Sequence, residues 1–221
     1  MSDVNRPVSA DPSPDCSICA RLRAFRERSR AAEPTWHNAP VRSFGTPSAR
    51  LLIVGLAPGL KGANRTGRPF TGDYAGDLLY GTLLKSGFAM GTYAASPDDG
   101  LELIDCRITN SVRCVPPENK PTLAEITACR PFLRSTIDEM ARLAVILALG
   151  RIAHDSVLTA FGARKSKFPF THGAFHVIND QIALFSSYHC SRYNTNTGVL
   201  TTTMFEAVFA SIQQHLRALP A

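Results

Sequence analysis

Residues 51–79 read LLIVGLAPGLKGANRTGRPFTGDYAGDLL. Leu51 to Val54 is a short apolar run of the kind that forms a strand buried on both faces. A loop rich in Gly and Pro follows, and a helix is predicted after Asp73. A buried strand that delivers a backbone-rich loop to a sheet edge is the arrangement in which open α/β folds hold their ligands. The loop is not a phosphate cradle of either familiar kind. The stretch from Gly55 to Lys61 has no Lys after the right Gly for GxxxxGK[ST], and GxGxxG is absent.

The same alternation continues outward. A basic helix carrying a CxxC pair is predicted over Cys16–Ala32, and a Pro-punctuated connection over Trp36–Ser48. Further helices are predicted at about Gly76–Gly87, Thr122–Ala141, Ile152–Phe161 and Thr202–Leu219. Strands are predicted at Arg50–Gly55, within Ile104–Thr109 and at Ala144–Leu149, and as a hairpin formed by His176–Ile178 and Ile182–Phe185. Residues 91–100 and the stretch SSYHCSRYNTNTG read as surface loops. Strands alternating with helices imply an α/β fold with a mainly parallel sheet covered on both faces. Met204, Phe205, Val208, Phe209, Ile212 and Leu216 form a helical stripe that reads as core.

A chain of 221 residues suits one domain. Residues 1–14 are polar and Pro-rich and read as a disordered tail, leaving a single domain over 15–221. No apolar run approaches the roughly 20 residues that span a bilayer, and the N-terminus lacks an apolar signal region, so a cytosolic protein is expected. The net charge is +6, and 19 of the 24 cations are Arg. The planar guanidinium fork suits phosphates, although a high-GC genome enriches Arg as well. Six cysteines in a chain without an export signal argue against a disulfide framework.

The segments GLAPG and NRTGRPFTGD, VRCVPP after the second strand, and SYHCSRYNTNTG near the end resemble motifs of the uracil-DNA glycosylase superfamily. The form is that of its iron–sulfur-containing family 5 branch, and the resemblance runs from Cys16 to about Thr201. It implies a three-layer α/β/α sandwich with a short, mainly parallel central sheet. It also implies a monofunctional glycosylase that hydrolyses the N-glycosidic bond of uracil in DNA and leaves an abasic site for base excision repair. Activity on hypoxanthine, xanthine and other damaged bases belongs to the same expectation.

Such a reaction requires a flipped nucleotide, recognition of the base edge, stabilisation of the leaving base and delivery of water. By resemblance, Gly55, Ala57 and Phe70 form the base pocket, with Phe70 stacking on the base. Asn110 reads the base edge, since an amide offers donor and acceptor together. His189 hydrogen-bonds the departing base; Cys190 follows it where the family usually has Pro. Ser191, Arg192, Tyr193 and Asn194 form the loop that enters the duplex, with Tyr193 or Asn194 filling the vacated stack. The loop after the first strand, Ala57-Pro58-Gly59, lacks the acid that orients water in many superfamily members. Asp73 is the expected replacement, with Asp77 as its alternative and a helix N-cap as its ordinary role.

Cys16, Cys19, Cys114 and Cys129 match the CxxC plus C-x14-C spacing of the iron–sulfur glycosylases, which implies a [4Fe–4S] cluster. Zinc also accepts four cysteines but favours two close pairs. Arg113 and Arg130, beside two of these cysteines, are expected to reach DNA phosphates. DNA containing deaminated bases is the expected partner of a monomer in the bacterial cytosol or nucleoid. A silent DNA-binding protein and an electron-transfer protein on the same scaffold are the rival readings.

Overall fold

A computed structural model describes residues 10–219. The central sheet has five strands: β1 (Leu51–Gly55), β4 (Cys106–Asn110), β5 (Val145–Leu149), β6 (Phe175–Val177) and β7 (Ala183–Ser187), in the order β4-β1-β5-β7-β6. The first three pairings are parallel and β6 alone runs antiparallel, as the hairpin expected around Asn179 and Asp180. Every residue of β1, β4, β5 and β7 is buried. Continuous apolar runs without alternation require cover on both faces, and both faces are covered.

One face packs under α3 (Tyr74–Lys85) and α7 (Thr202–Ala218), the other against α4 (Leu123–Asp138) and α5 (Arg151–Ala160). The three-layer sandwich is therefore as expected. The stripe on α7 is core: Phe205, Val208, Phe209, Ile212 and Leu216 are all buried. Thr122 caps α4 in a reciprocal box with Glu125, which fixes where that helix starts. No helix of the described residues is long and apolar enough to cross a membrane.

Four local features depart from the sequence reading. First, α1 spans Ala20–Ala32, so Cys16 and Cys19 precede the helix rather than ride on it. Second, residues 91–100 are flanked by a small ribbon of β2 (Ala89–Met90) and β3 (Glu102–Leu103). Third, short helices α2 (Ala63–Thr66) and α6 (Arg192–Asn196) interrupt the two motif loops. Fourth, Arg113 is fully buried. Its guanidinium donates to Asp11 Oδ1 (3.0 Å), Ser43 Oγ (2.9 Å), Thr136 Oγ1 (2.7 Å) and the Ala10 carbonyl (3.1 Å), so it cannot reach DNA phosphates. Those bonds also tether Ala10 and Asp11, at the end of the segment expected to be a disordered tail; residues 1–9 of that segment lie outside the described residues.

The parallel strands β1, β4, β5 and β7 all end at one edge of the sheet. The chain leaves β1 for β4 on one side and then crosses to β5 on the other. The reversal opens a crevice at the carboxyl end of β1.

Candidate active site

A cavity of about 530 Å³ occupies that crevice. Its walls come from three strand-end loops, and they bring together Ala57, Phe70, Asp73, Asn110, His189, Ser191 and Arg192, residues separated by up to 135 positions in sequence. Gly55 lies behind the wall. A side chain there would collide with Asn110 Oδ1 and come within 2.6 Å of the Phe70 ring. Its lack of a Cβ therefore allows those two side chains to meet.

Phe70 is buried, and its backbone is left-handed, with φ 53°. A bulky L-residue holds that conformation only where its surroundings impose it. Its ring lies 5.9 Å from the His189 ring at an interplanar angle of 28°. Asn110 ends β4 in register with Gly55; it is buried, and its Oδ1 has no hydrogen-bond partner. A buried acceptor left unpaired at the cavity wall is free to take a hydrogen bond from a donor placed there.

His189 lies two residues beyond the end of β7, and burial lowers the imidazole pKa to about 4. The ring is neutral at physiological pH, with one nitrogen able to donate. Cys190 is wholly buried in the main core, and burial pushes its thiol up to about 12. The residue standing where Pro is usual thus presents no reactive thiol to the cavity.

Asp73 occupies the N-cap position of α3, yet its side chain makes no capping hydrogen bond. Instead the carboxylate leans over the first motif loop. Its Oδ2 would lie 2.9 Å from a Cβ at Gly59 and would collide with one at Gly62, while Oδ1 is buried and unpaired. Burial raises the pKa of this carboxyl, and Asp77 adds to the rise. The amides of Gly76 and Ala75 oppose it; they are near enough to favour the ion but too poorly aligned to close a cap. Asp77 is exposed and does not line the cavity.

Across the mouth, the Arg192 guanidinium sits 5.3 Å from the Tyr74 ring centroid, bridging the last motif loop to the start of α3. Ser191 caps α6 by accepting the Asn194 N–H. Asn194 Nδ2 donates to the His189 carbonyl at 2.8 Å, so this side chain braces the loop, whereas Tyr193 is 74% exposed. Asn119 also lines the cavity, and the sequence reading passed it over. Its one visible sign is its place in PPENKP, where Glu118 and Asn119 are both left-handed.

A second, small cavity is lined by Cys16, Cys19, Cys114 and Cys129 together with Arg26. Arg26 is buried. Its Nη1 faces Cys114 Sγ at 3.5 Å, its Nη2 donates to the Cys16 carbonyl, and its Nε is unpaired. The Arg113 N–H points at Cys129 Sγ at 3.4 Å. All six cysteines are free. No three His, Cys, Asp or Glu side chains among the described residues converge as the ligands of one ion would. Four cysteine thiols lining one small cavity beside the buried Arg26 are a donor set that could hold an iron–sulfur cluster.

Comparison with known proteins agrees with this geometry. A family profile described as the Uracil DNA glycosylase superfamily matches residues 42–213. The chain is 46% identical over 196 residues to a Type-5 uracil-DNA glycosylase of Thermus thermophilus, covering 86% of this chain and 89% of the relative. It is 40% identical over 205 residues to a Type-5 uracil-DNA glycosylase of Mycobacterium leprae, covering 88% of each chain. A Type-5 enzyme of Pyrobaculum aerophilum is 38% identical over 203 residues, covering 90% of this chain and 85% of the relative.

Proposed function

The chain belongs to the uracil-DNA glycosylase superfamily, and on that premise we propose that it excises uracil from DNA by hydrolysing the N-glycosidic bond, the first step of base excision repair. The observation that carries this reading is the convergence of Phe70, Asp73, Asn110 and His189 in one cavity.

A deoxyuridine rotated out of the duplex enters the cavity and rests against Phe70; base–aromatic stacking contributes roughly 1–3 kcal/mol. Asn110 Oδ1, unpaired in the free protein, accepts from N3–H of the base, and its amide NH₂ donates to O4. The C1′–N1 bond breaks with its electron pair passing to the base, where charge gathers on O2. The neutral His189 imidazole donates a hydrogen bond there, an interaction that strengthens as the bond breaks. The Asp73 carboxylate stabilises the cationic sugar and orients a water whose oxygen bonds to C1′. The proton lost by that water passes to Asp73 and then to solvent, the departing base anion takes up a proton from solvent, and the products are an abasic site and free base. The loop after β1 thus uses an acid supplied by the N-terminus of α3.

Tyr193 is the residue that fills the vacated stack, because Asn194 is committed to the His189 carbonyl. Cys16, Cys19, Cys114 and Cys129 would hold a [4Fe–4S] cluster, with the buried Arg26 beside them as the nearest cation. Such a cluster would supply cross-linking and, when its oxidation state changes, one-electron chemistry. The chain acts as a monomeric single domain on DNA in the bacterial cytosol, and its substrates extend to hypoxanthine and xanthine.

Single-turnover cleavage of a uracil-containing oligonucleotide tests the reading, with hypoxanthine and xanthine oligonucleotides in single- and double-stranded form alongside. Folded protein that shifts DNA but leaves every glycosidic bond intact would be a silent binder, and the proposal would fail. Protein lacking both brown absorbance near ~400 nm and stoichiometric iron and sulfide after anaerobic purification would rule out the cluster.

A further inference from the structure

Arg68 lies in the motif loop two residues before Phe70, where an arginine in a DNA enzyme reads naturally as a phosphate contact. The structure gives it other work. Arg68 is 4% exposed; its Nη1 and Nη2 each donate to one oxygen of Asp99 at 2.8 Å, and its Nε donates to Thr71 Oγ1 at 2.7 Å. The guanidinium carbon lies 5.3 Å from the Phe44 ring centroid, 5.2 Å from that of Tyr80 and 5.8 Å from that of Tyr93. Asp99 also accepts the N–H groups of Ala94 and Leu101, so the pair is anchored in the 91–100 loop. All three guanidinium nitrogens are thus engaged within the protein.

The residues held by this cage lead straight into the base pocket. Tyr80 Oη donates to the Pro69 carbonyl, and Tyr93 Oη donates to the Phe70 carbonyl at 3.4 Å. Gly76 passes so close beneath that carbonyl that a Cβ would collide with it. Between these clamps Phe70 keeps its left-handed backbone and turns its ring toward Gly55 and His189. A planar, charged fork satisfied on three nitrogens and packed among aromatic rings is far more directional than an apolar filler of the same size.

We propose that Arg68, locked to Asp99 inside this aromatic cage, is a positioning residue that sets the Phe70 ring against the flipped base. Through it the 91–100 loop, outside the cavity, sets the rate of excision. The inference rests on the uracil-excision reading and deepens it. Misplacing a positioned group by about 1 Å can cost about 100-fold in rate.

The test compares Arg68→Gln, Arg68→Lys and Asp99→Asn with the unaltered chain. It measures single-turnover excision of uracil from duplex DNA, affinity for duplex carrying an abasic site, and melting temperature. Arg68→Gln and Asp99→Asn are expected to lower the single-turnover constant about 10- to 100-fold while abasic-site affinity stays within about threefold. Arg68→Lys is expected to recover only a small part, because an ammonium cannot form the fork. In a Phe70→Ala background, Arg68→Gln should add less than about a twofold further loss, since its effect runs through that ring. If Arg68→Gln does not fold, Asp99→Asn and Arg68→Lys carry the same comparison. Excision within about twofold of the unaltered chain, or losses that multiply with Phe70→Ala, would overturn the proposal. An unaltered chain that leaves uracil in place would instead overturn the functional reading on which it rests.

Discussion

The carboxylate of Asp73 fills the space that a side chain at Gly62 would need. The loop after β1 has no acid of its own, and its glycines leave room for one brought in by the following helix. Gly62→Ala should therefore displace Asp73 while sparing the core. A loss of about 100-fold in single-turnover excision is expected with little change in melting temperature. Gly59→Ala, where the gap to Oδ2 is 2.9 Å, should lose less. Equal activity in Gly62→Ala and the unaltered protein would show that Asp73 need not stand where it does.

Asp73 itself has a pH signature. Its pKa is raised chiefly by burial, and the proposed reaction uses the ionised form. Excision should fall as pH drops through the raised pKa, at a higher pH than an exposed aspartate would give. Asp73→Asn should lose about 10²- to 10³-fold and abolish that limb. Stability runs the other way. A carboxyl that binds its proton more tightly when folded is a cost at pH above its folded pKa, and the cost vanishes below the unfolded value near 3.8. Asp73→Asn should accordingly melt higher than the unaltered chain at pH 7, with the gap closing on acidification. Thermal melts across this range check the sign.

His189 should stay neutral until pH nears about 4, so it imposes no change on excision across the neutral range. His189→Ala removes one donor to the developing anion and should cost about 10²- to 10³-fold in the single-turnover constant, with affinity for abasic-site DNA little altered. A ring resonance titrating near pH 6.5 in NMR would contradict the neutral state.

Arg113 distinguishes burial from DNA contact. Removing one partner of a buried pair costs about 3–5 kcal/mol, which in a domain of this size lowers melting by about 2–4 °C per kcal/mol. Asp11→Ala and Arg113→Met should each melt about 6–20 °C lower, while the protein that remains folded binds DNA as before. A selective loss of DNA affinity without destabilisation would point to a surface role instead.

The six cysteines should divide into two sets. Serine at Cys16, Cys19, Cys114 or Cys129 is expected to lower iron and sulfide content, whereas Cys106→Ser and Cys190→Ser should retain both. Both of the latter thiols are buried away from the four-cysteine cavity. Metal analysis of the purified variants separates the sets.

Much of this was legible in the chain because it is encoded locally. Leu51–Val54 and Ala144–Leu149 are unbroken apolar runs, so their burial on both faces could be read directly, and the α7 stripe has an unmistakable period. Asn110 and His189 stand at strand ends within distinctive wording. What escaped depends on contacts distant in sequence. Arg113 looks like any arginine in a basic loop until Asp11 and Thr136 close around it. Arg68 was passed over because its partner, Asp99, lies in a stretch that reads as an ordinary surface loop. Residues 192–196 read as loop in the sequence because RYNTN has weak helical preference, and the Ser191 cap starts the turn. The pairing of Asp73 with Gly59 and Gly62 needed the path of the loop in space.

The register of β1 against β4, which sets Gly55 opposite Asn110, also limits how this chain can change. One residue inserted or deleted within β4 would turn the amide of Asn110 from the cavity to the other face of the sheet, and one within β1 would remove Gly55 from its place opposite that amide. Length variation that preserves excision should therefore avoid both strands and collect in exposed turns such as Asn179–Asp180. An insertion scan across the chain should return its survivors there and leave residues 51–55 and 106–110 blank.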